Sequence, residues 1–387
     1  MPNELNASQP SGCGSCGYSA LCGGADGQQS IGGCFSSCGT SCRVGRRCDW
    51  VCPVKSDFVD HVREVGGLRR RATGALVAPT FALPSYVPMV RHRSSRVVEF
   101  SGGIVALSLE DIAEAIRHKE TPVNDPHALR SFFGIRPDAT VIIVSVARDR
   151  VLERYWARRV KDGTVDTLAA LGTSAMTVPN FSLFQDAPRT HTLWNLRRMA
   201  VVADELSSVG VPVVPHLNAC QRADWDYWHS YLREQATIQF IAKEFQTGLR
   251  RRELGEQAIR DLANLQHRLG RELRPIIVGG VGYAATIARY FDRAVFVDSQ
   301  PFMKTVNRQR RAQTGAWNTH LMAGPIDELL EHNVRTHARY VDEELARGRA
   351  RAAARPRRLG RSQGAQASID CPLTQPTSRQ AVLPIIS

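Results

Sequence analysis

Short apolar runs that alternate with helical patterns are the feature that most constrains the fold of this chain. The candidate strands are TGALVAPTF, RVVEF, ATVIIVSVA, SAMTVPNF, VPVVPHLN, ATIQFIAKEF, RPIIVGG and RAVFVDS. Helical patterns such as LEDIAEAIRHK, VLERYWARRVK and LGEQAIRDLANLQHRLGREL separate most of them, as is typical of parallel βα units. About eight strands over about 290 residues predict an α/β protein with a (β/α)8 TIM-type barrel. An open doubly wound sheet is the main alternative.

Composition divides the chain into three parts. Residues 1–55 are rich in Gly, Ser and Cys and poor in branched apolar residues, so they need a cross-link or a metal in order to fold. The stretch that begins at residue 346 is rich in Arg and continues into a segment of Ser, Gln and Pro. We predict a Cys-rich metal-binding module at 1–55, a catalytic barrel at 56–345 and a disordered basic tail at 346–387.

Eight of the ten cysteines lie in the first 52 residues, which is an uneven distribution for a disulfide framework. They are Cys13, Cys16, Cys22, Cys34, Cys38, Cys42, Cys48 and Cys52. Eight thiolates could form two zinc sites of four ligands each, or four of them could hold an iron–sulfur cluster. The spacing of Cys34, Cys38 and Cys42 is close to the C-x3-C-x2-C triplet of radical S-adenosylmethionine enzymes, but its last gap is one residue longer. Zinc is the favoured cofactor.

The charge of the chain predicts a polyanionic partner. Its 50 Lys and Arg against 37 Asp and Glu give a formal net charge of +13, which attracts nucleic acid. No apolar run reaches the roughly 18 residues of a membrane-spanning helix, and the start MPNELNASQPSGCG lacks the pattern of a secretory signal. We therefore expect a cytoplasmic protein, in the host cytoplasm if phage-encoded, with no membrane partner.

Polar residues and glycines follow the predicted strands, and the carboxyl ends of barrel strands share one site. The candidates are Ser101, Gly102, Gly103, Asn180, Ser182, His216, Asn218, Lys243, Glu244, Gly279, Gly280, Gly282 and Asp298. Glycine lets the backbone approach a ligand closely and offer its N–H groups. Together with amide, imidazole and carboxylate groups, this set suits a planar polar ligand.

The segment IIVGGVGYAATIARYFDRAVFVDSQPFMKTVNRQRR resembles the closing portion of the guanine transglycosylase family, roughly LMGVG, a helix and FDCVxPTRxxRxG. These enzymes exchange a guanine base in nucleic acid for a 7-deazaguanine. The resemblance implies that Asp298 is the nucleophile. It also makes Arg308, Arg310 and Arg311 available to nucleic-acid phosphates.

Two further segments are similar to the same family. FSGGIVALSLEDI is similar to DSGGFQVFSL and keeps Ser101, Gly102 and Gly103, but Phe100 replaces the leading Asp, a candidate general acid/base. A further segment, MTVPNFSLFQDAPRTHTLWNLRRM, is similar to the one that supplies the base-recognising Asp in the family, and Asn180 would take the role of that Asp. The resemblance also implies that His216 or Asn218 contacts the base. The C-terminal C-x-C-x-x-C zinc site of the family is missing here.

The branch that the resemblance implies acts on DNA in phages and bacteria. It inserts 7-cyano-7-deazaguanine or a relative through a covalent aspartyl-sugar intermediate, a modification that could protect DNA from restriction. A base inside a duplex must flip out to reach such a carboxylate. Three alternatives stay open: a tRNA-guanine transglycosylase, a radical S-adenosylmethionine or other iron–sulfur enzyme, and a catalytically dead nucleic-acid-binding barrel, which the loss of the Asp at Phe100 favours.

Overall fold

Eight parallel strands form the centre of the molecule. The computed structural model describes residues 18–22, 49–53, 55–70, 74–92, 96–117, 122–184, 187–318 and 320–354. The strands are β1 (Tyr86–Pro88), β2 (Ile104–Ser108), β3 (Thr140–Val144), β4 (Ala175–Thr177), β5 (Val213–Val214), β6 (Phe240–Glu244), β7 (Arg274–Val278) and β8 (Val295–Asp298). They pair in two four-stranded sheets with the orders β1-β8-β7-β6 and β2-β3-β4-β5.

Single parallel bridges join the two sheets at both edges. Met89, just after β1, pairs with Ala106 of β2, and His216, just after β5, pairs with Ala242 of β6. Each of the eight strands therefore has a parallel neighbour on both sides. The prediction of an α/β fold with parallel strands is confirmed.

Helices follow most of the strands, as parallel connections require. The α-helices of the described ranges are α1 (Ser19–Cys22), α2 (Phe58–Glu64), α3 (Leu109–Ile116), α4 (Pro126–Phe133), α5 (Asp149–Arg158), α6 (Thr164–Ala170), α7 (Arg189–Ser208), α8 (Arg222–Glu234), α9 (Arg252–Leu269), α10 (Ala284–Ile287), α11 (Gln300–Val306) and α12 (Ile326–Ala353), of which α1 and α2 precede the first strand. Local sequence sets several ends: Asp125 caps α4 through the amides of His127 and Ala128, and Gly134 ends that helix in a left-handed conformation. No helix in the described ranges combines the length and apolar character needed to cross a membrane.

The strands are buried on both faces, which explains their continuous apolar runs. Ile142 of β3 belongs to one apolar cluster, together with Val214, Val278 and Val297. The next residue, Ile143, points the opposite way into the cluster that the helices cover. Because side chains alternate along each strand, one apolar layer lies on each side of the sheets.

The last six predicted strands are confirmed, and the first two are wrong. RVVEF is not a strand: Val97 and Val98 are 90% and 60% exposed, and Phe100 makes only an isolated bridge to Ile135. The described residues of TGALVAPTF form no strand either, although Val77 accepts a backbone hydrogen bond from Val213 of β5. The first two strands are β1 and β2, which lie further along the chain.

The described residues of the Cys-rich segment pack into the main core. Cys22 and Val51 are buried in the same apolar cluster as the helices. Thr190 on α7 donates a hydrogen bond to the Val51 carbonyl, and the Val51 amide donates to Nδ1 of His191 at 3.2 Å. These described residues pack against the main body, while most of the module predicted at 1–55 lies outside the described residues.

Helix α12 crosses the predicted boundary at residue 345. It continues to Ala353, so the arginines at 347, 349 and 351 are helical rather than disordered. Leu345 and Gly348 are buried, which anchors this part of the helix to the body. Residues 355–387, the rest of the predicted tail, lie outside the described residues.

We expect Gly348→Ala to destabilise the fold, because the new Cβ would lie 2.2 Å from the carbonyl oxygen of Ala285 and push α12 away from α10. In an unobstructed helix the same exchange stabilises by about 1 kcal/mol, whereas overpacking costs about 1–3 kcal/mol. Denaturant unfolding measures the change, with the exposed Arg351→Ala in the same helix as the control. A variant as stable as wild type would show that the two helices do not pack this closely.

Candidate active site

Asp298 ends β8 at the carboxyl edge of the sheet and is 8% exposed. Its backbone is fixed by the neighbouring strand, because the Met89 amide donates to the Asp298 carbonyl at 3.0 Å. Its carboxylate is also fixed: Oδ1 accepts from the Gln300 amide at 2.9 Å, and Oδ2 lies 3.2 Å from Nε2 of His337. The side chain is therefore held in one orientation by a helix start and by α12.

Tyr86 of β1 lies against this carboxylate. Burial raises the pKa of Tyr86 well above its usual value, and the nearby charge of Asp298 raises it further. The phenol therefore stays protonated, and it lies 3.3 Å from the Asp298 carbonyl oxygen as a donor. Its ring also meets the His337 ring edge-on, with 4.9 Å between the centroids.

Asp298 lines a cavity of about 580 Å³. The same walls carry Arg311, Trp317, His337 and Tyr340, from the segment after α11 and from α12. The guanidinium carbon of Arg311 lies 4.9 Å from the Trp317 ring centre and 4.6 Å from that of Tyr340. Burial lowers the pKa of Arg311, yet a guanidinium keeps its charge in proteins. The cavity thus combines a carboxylate, a cation and flat aromatic faces.

The glycines predicted to follow β7 lie in this cavity beside Asp298. Gly279 and Gly280 have φ angles of +75° and +65°, which favour glycine. A Cβ on Gly279 would lie 2.7 Å from Cγ of Gln246, and one on Gly280 would lie 2.7 Å from Cβ of Phe245. Gly282 faces open space. A side chain on the first two would displace the loop after β6, so glycine at both positions lets the turn pack closely against that loop.

A larger cavity of about 1210 Å³ lies at the carboxyl ends of the strands and contains Asn180 and Asn218. The Asn218 amide donates to Oδ1 of Asn180 and, at 3.0 Å, to the carbonyl of Phe181. The structure therefore brings these two predicted residues together. They are not in the Asp298 cavity, but the two cavities adjoin and share Gln246 and Ser299.

His216 is not at a cavity surface, contrary to its predicted contact with a base. It is fully buried next to β6, and neither ring nitrogen has a hydrogen-bond partner among the described residues. Burial lowers the pKa of His216 to about 3. Side chains alternate in direction along an extended segment, and His216 lies two residues after Val214. Both side chains therefore point into the apolar interior.

Ser101, Gly102 and Gly103 precede β2 and so lie at its amino end, opposite to the predicted position. The predicted strand RVVEF placed them wrongly, because the paired strand is the apolar run that follows them. The Ser101 amide donates to Glu331 at 2.7 Å. Phe100 is buried at this same end, so a general acid is not supplied from its position.

The three predicted phosphate-binding arginines differ in their surroundings. Arg308 donates to the Gly324 carbonyl at 2.6 Å, and the exposed Arg310 donates to His332 at 3.0 Å. Arg311 is 4% exposed and lines the same cavity as Asp298. It is therefore not part of an open surface, and it can contact only a group that enters the cavity.

Sequence reasoning missed His337, Trp317 and Tyr340. His337 is 39 residues from Asp298 in the chain, and only the docking of α12 joins them. His337 and Asn333 are polar residues on the buried face of α12. Polar residues at core-facing positions are the sequence signal that could have identified this face of the helix.

The predicted metal site lies largely outside the described residues. Cys22 and Cys52 are described and buried, whereas Cys13, Cys16, Cys34, Cys38, Cys42 and Cys48 fall outside. Within the described part of the chain, no group of three or more His, Cys, Asp or Glu side chains could hold a metal ion. Zinc or iron–sulfur binding by this cluster stays a prediction.

Comparisons with known proteins give no family. No protein-family model and no curated protein matches the sequence. Among solved structures, aminoacrylate-bound tryptophan synthase from M. tuberculosis is 12% identical, with a TM-score of 0.32, over 65% of this chain and 93% of that chain. An open form of the same enzyme is 15% identical, with a TM-score of 0.33, over 68% and 92%. Similarity at this level carries no information about the activity of this chain.

We expect His216 to make the fold acid-sensitive. The unfolded chain binds a proton near pH 6.5, whereas folded His216 does so only near pH 3, so stability falls as the pH drops through this window. The loss between pH 7 and 5 is roughly 2 kcal/mol. Denaturant unfolding at both pH values should show a smaller loss in His216→Leu, while the exposed His127→Gln behaves as wild type. Equal losses in wild type and His216→Leu would contradict the assignment.

Proposed function

We propose that this protein exchanges guanine in DNA for a 7-deazaguanine base, such as 7-cyano-7-deazaguanine, through a covalent intermediate on Asp298. The observation that carries the proposal is the Asp298 cavity. A fixed carboxylate there lies beside bare glycine backbone, aromatic rings and the buried Arg311. The carboxylate suits attack on a sugar carbon, the glycine backbone and the aromatic rings suit a flat base, and the guanidinium suits an anionic phosphate.

The exchange proceeds in two displacements, as in retaining glycosidases. The Asp298 carboxylate bonds to C1′ while the bond from C1′ to N9 of guanine breaks, and guanine leaves with that electron pair and gains a proton. The incoming base then attacks C1′ through its own N9, loses a proton and releases the carboxylate. Atoms and charges balance, and the sugar keeps its configuration.

His337 is a positioning residue in this scheme. With the proton on Nε2, it donates to Oδ2 of Asp298, and its Nδ1 has no hydrogen-bond partner among the described residues. The Gln300 amide holds the other carboxylate oxygen. Both contacts restrict the side chain before the substrate arrives, which lowers the entropy cost of the attack.

We also propose that the eight strands close into a (β/α)8 barrel. The bridges between Met89 and Ala106 and between His216 and Ala242 support it, since they give every strand two parallel neighbours. The position of both cavities at the carboxyl ends of the strands is the one that barrel enzymes use.

A basic groove supports a nucleic-acid substrate. A cavity of about 350 Å³ between α3 and α5 adjoins the larger cavity and shares Glu110 and Arg148 with it. Arg117, Arg150 and Arg154 also line this groove, and all three are exposed. In the described part of the chain, no carboxylate lies within ion-pair distance of these three, so they are available to phosphates.

We expect Asp298→Asn to bind DNA but to exchange bases at least about a thousandfold more slowly, because an amide is a far poorer nucleophile than a carboxylate. Incorporation of labelled guanine or 7-cyano-7-deazaguanine into DNA measures the rate, with tRNA in parallel. The exposed Asp292→Asn is the matched control and should retain the wild-type rate.

The outcomes separate the alternatives. Exchange only on tRNA would reassign the substrate, and near wild-type exchange in Asp298→Asn would remove Asp298 from the mechanism. Binding without exchange by the wild type would instead favour a catalytically dead nucleic-acid-binding protein.

We expect Arg150→Gln/Arg154→Gln to weaken DNA binding mainly at low salt. If both arginines contact phosphates, the slope of log K against log salt becomes less negative by about 1.8, which is about 0.9 for each contact. Arg233→Gln/Arg260→Gln removes the same charge from exposed positions on α8 and α9 and serves as the control. Equal slopes for the two double variants would show that the groove is not on the DNA path.

A further inference from the structure

Lys243 is a buried amine that the exchange mechanism does not use. It lies next to the last residue of β6, lines the larger cavity and is 5% exposed. Its Nζ donates to the Leu217 carbonyl at 2.9 Å and lies 5.9 Å from the ring centre of Trp225 on α8. The side chain is therefore held under the segment that joins β5 to α8, with part of it facing the cavity.

In the described part of the chain, no carboxylate lies within ion-pair distance of Lys243. Burial lowers the pKa of Lys243, and the charges of Glu244, Cys220, Asp261 and Asp224 oppose this effect. The neighbouring His216 is neutral and adds no negative charge. A buried cation without a counterion loses its proton in preference to paying the full cost of desolvation.

The nearby carboxylates already have other partners. Glu244 accepts hydrogen bonds from the backbone amides of Gln246 and Thr247. Asp224 is fully buried, pairs with Arg189 and caps the start of α8. Asp261 on α9 accepts from the Gln257 amide at 2.8 Å. None of them is oriented as a counterion for the lysine.

The cavity in front of Lys243 has the size and polarity for a small ligand. Its walls carry the amide groups of Asn180 and Asn218 and the hydroxyl of Ser182, which donates to Asp149 at 2.6 Å. Amides and hydroxyls of this kind orient a ligand that bears hydroxyl and carbonyl groups. A volume of about 1210 Å³ leaves ample room for it.

We propose that Lys243 is a nucleophilic amine that forms an imine with a small polar ketone or aldehyde bound in the larger cavity. The lone pair of Nζ attacks the carbonyl carbon, and the carbonyl oxygen takes up a proton. The resulting carbinolamine loses one water and leaves a protonated imine. The step needs no oxidant or reductant, and it is independent of Asp298, which lies in the other cavity.

Reductive trapping tests the proposal. Wild-type protein is incubated with pyruvate or with dihydroxyacetone phosphate, reduced with sodium borohydride, and analysed by intact mass and peptide mapping. Only five of the 50 basic residues are lysines, Lys55, Lys119, Lys161, Lys243 and Lys304, so the modified amine can be identified without ambiguity. We expect a single adduct, on Lys243, with at least one of the two probes.

The controls separate a nucleophile from a structural lysine. Lys243→Met has a side chain of similar length without an amine and should lose the adduct. The exposed Lys161→Met should retain the adduct on Lys243. No adduct on Lys243 with either probe, or labelling at the exposed lysines alone, would overturn the proposal.

A second readout needs no variant and decides the question even if Lys243→Met does not fold. In wild type, the rate of trapping at Lys243 should level off well below pH 10, the region of an ordinary lysine pKa. A rate that still rises through pH 10 would mean that Lys243 is protonated at neutral pH and serves only to hold the Leu217 carbonyl.

Discussion

Parallel pairing of short strands is the constraint on which the rest of this structure depends. Because all eight strands run the same way, every carboxyl end lies at one edge, and residues far apart in sequence meet there. Asn180 and Asn218 follow two strands, and Lys243 and Asp298 lie at the carboxyl ends of two others. None of them is close to another through local sequence. The apolar residues that bury both faces of each strand therefore also decide which polar residues share a cavity.

Helix α12 adds the second requirement for the Asp298 cavity. It carries His337 and Tyr340 and packs against β1, α10 and α11, so the same docking that buries Leu345 and Gly348 brings an imidazole to the carboxylate. A displacement of α12 would be felt at Asp298 through this contact. Stability and geometry of the site are thus coupled by packing rather than by charge alone.

Sequence patterns identified the parts of the fold whose signal is local. Runs such as ATVIIVSVA contain a strand that is shorter than the run. Asp298 ends β8, and the turn at Gly279 follows β7 directly. β1 has three residues and contains a proline, so it has no pattern to recognise. The paired strand β2 follows Ser101 instead of preceding it, so the prediction placed Ser101 at the wrong edge of the sheet. His216 alternates in step with Val214, so its side chain points into the core. His337 depends on a helix far along the chain, which no spacing rule relates to Asp298.

The two adjoining cavities differ in the charge that they offer, and this difference favours different ligands. Arg311 keeps its charge against Trp317 and Tyr340, so the Asp298 cavity contains a permanent cation. No described carboxylate lies within ion-pair distance of Lys243 and burial lowers its pKa, so in our proposal the larger cavity offers a nucleophilic amine instead. Gln246 lines both and packs against the turn at Gly279. A ligand that moves the loop after β6 in one cavity must therefore alter the wall of the other.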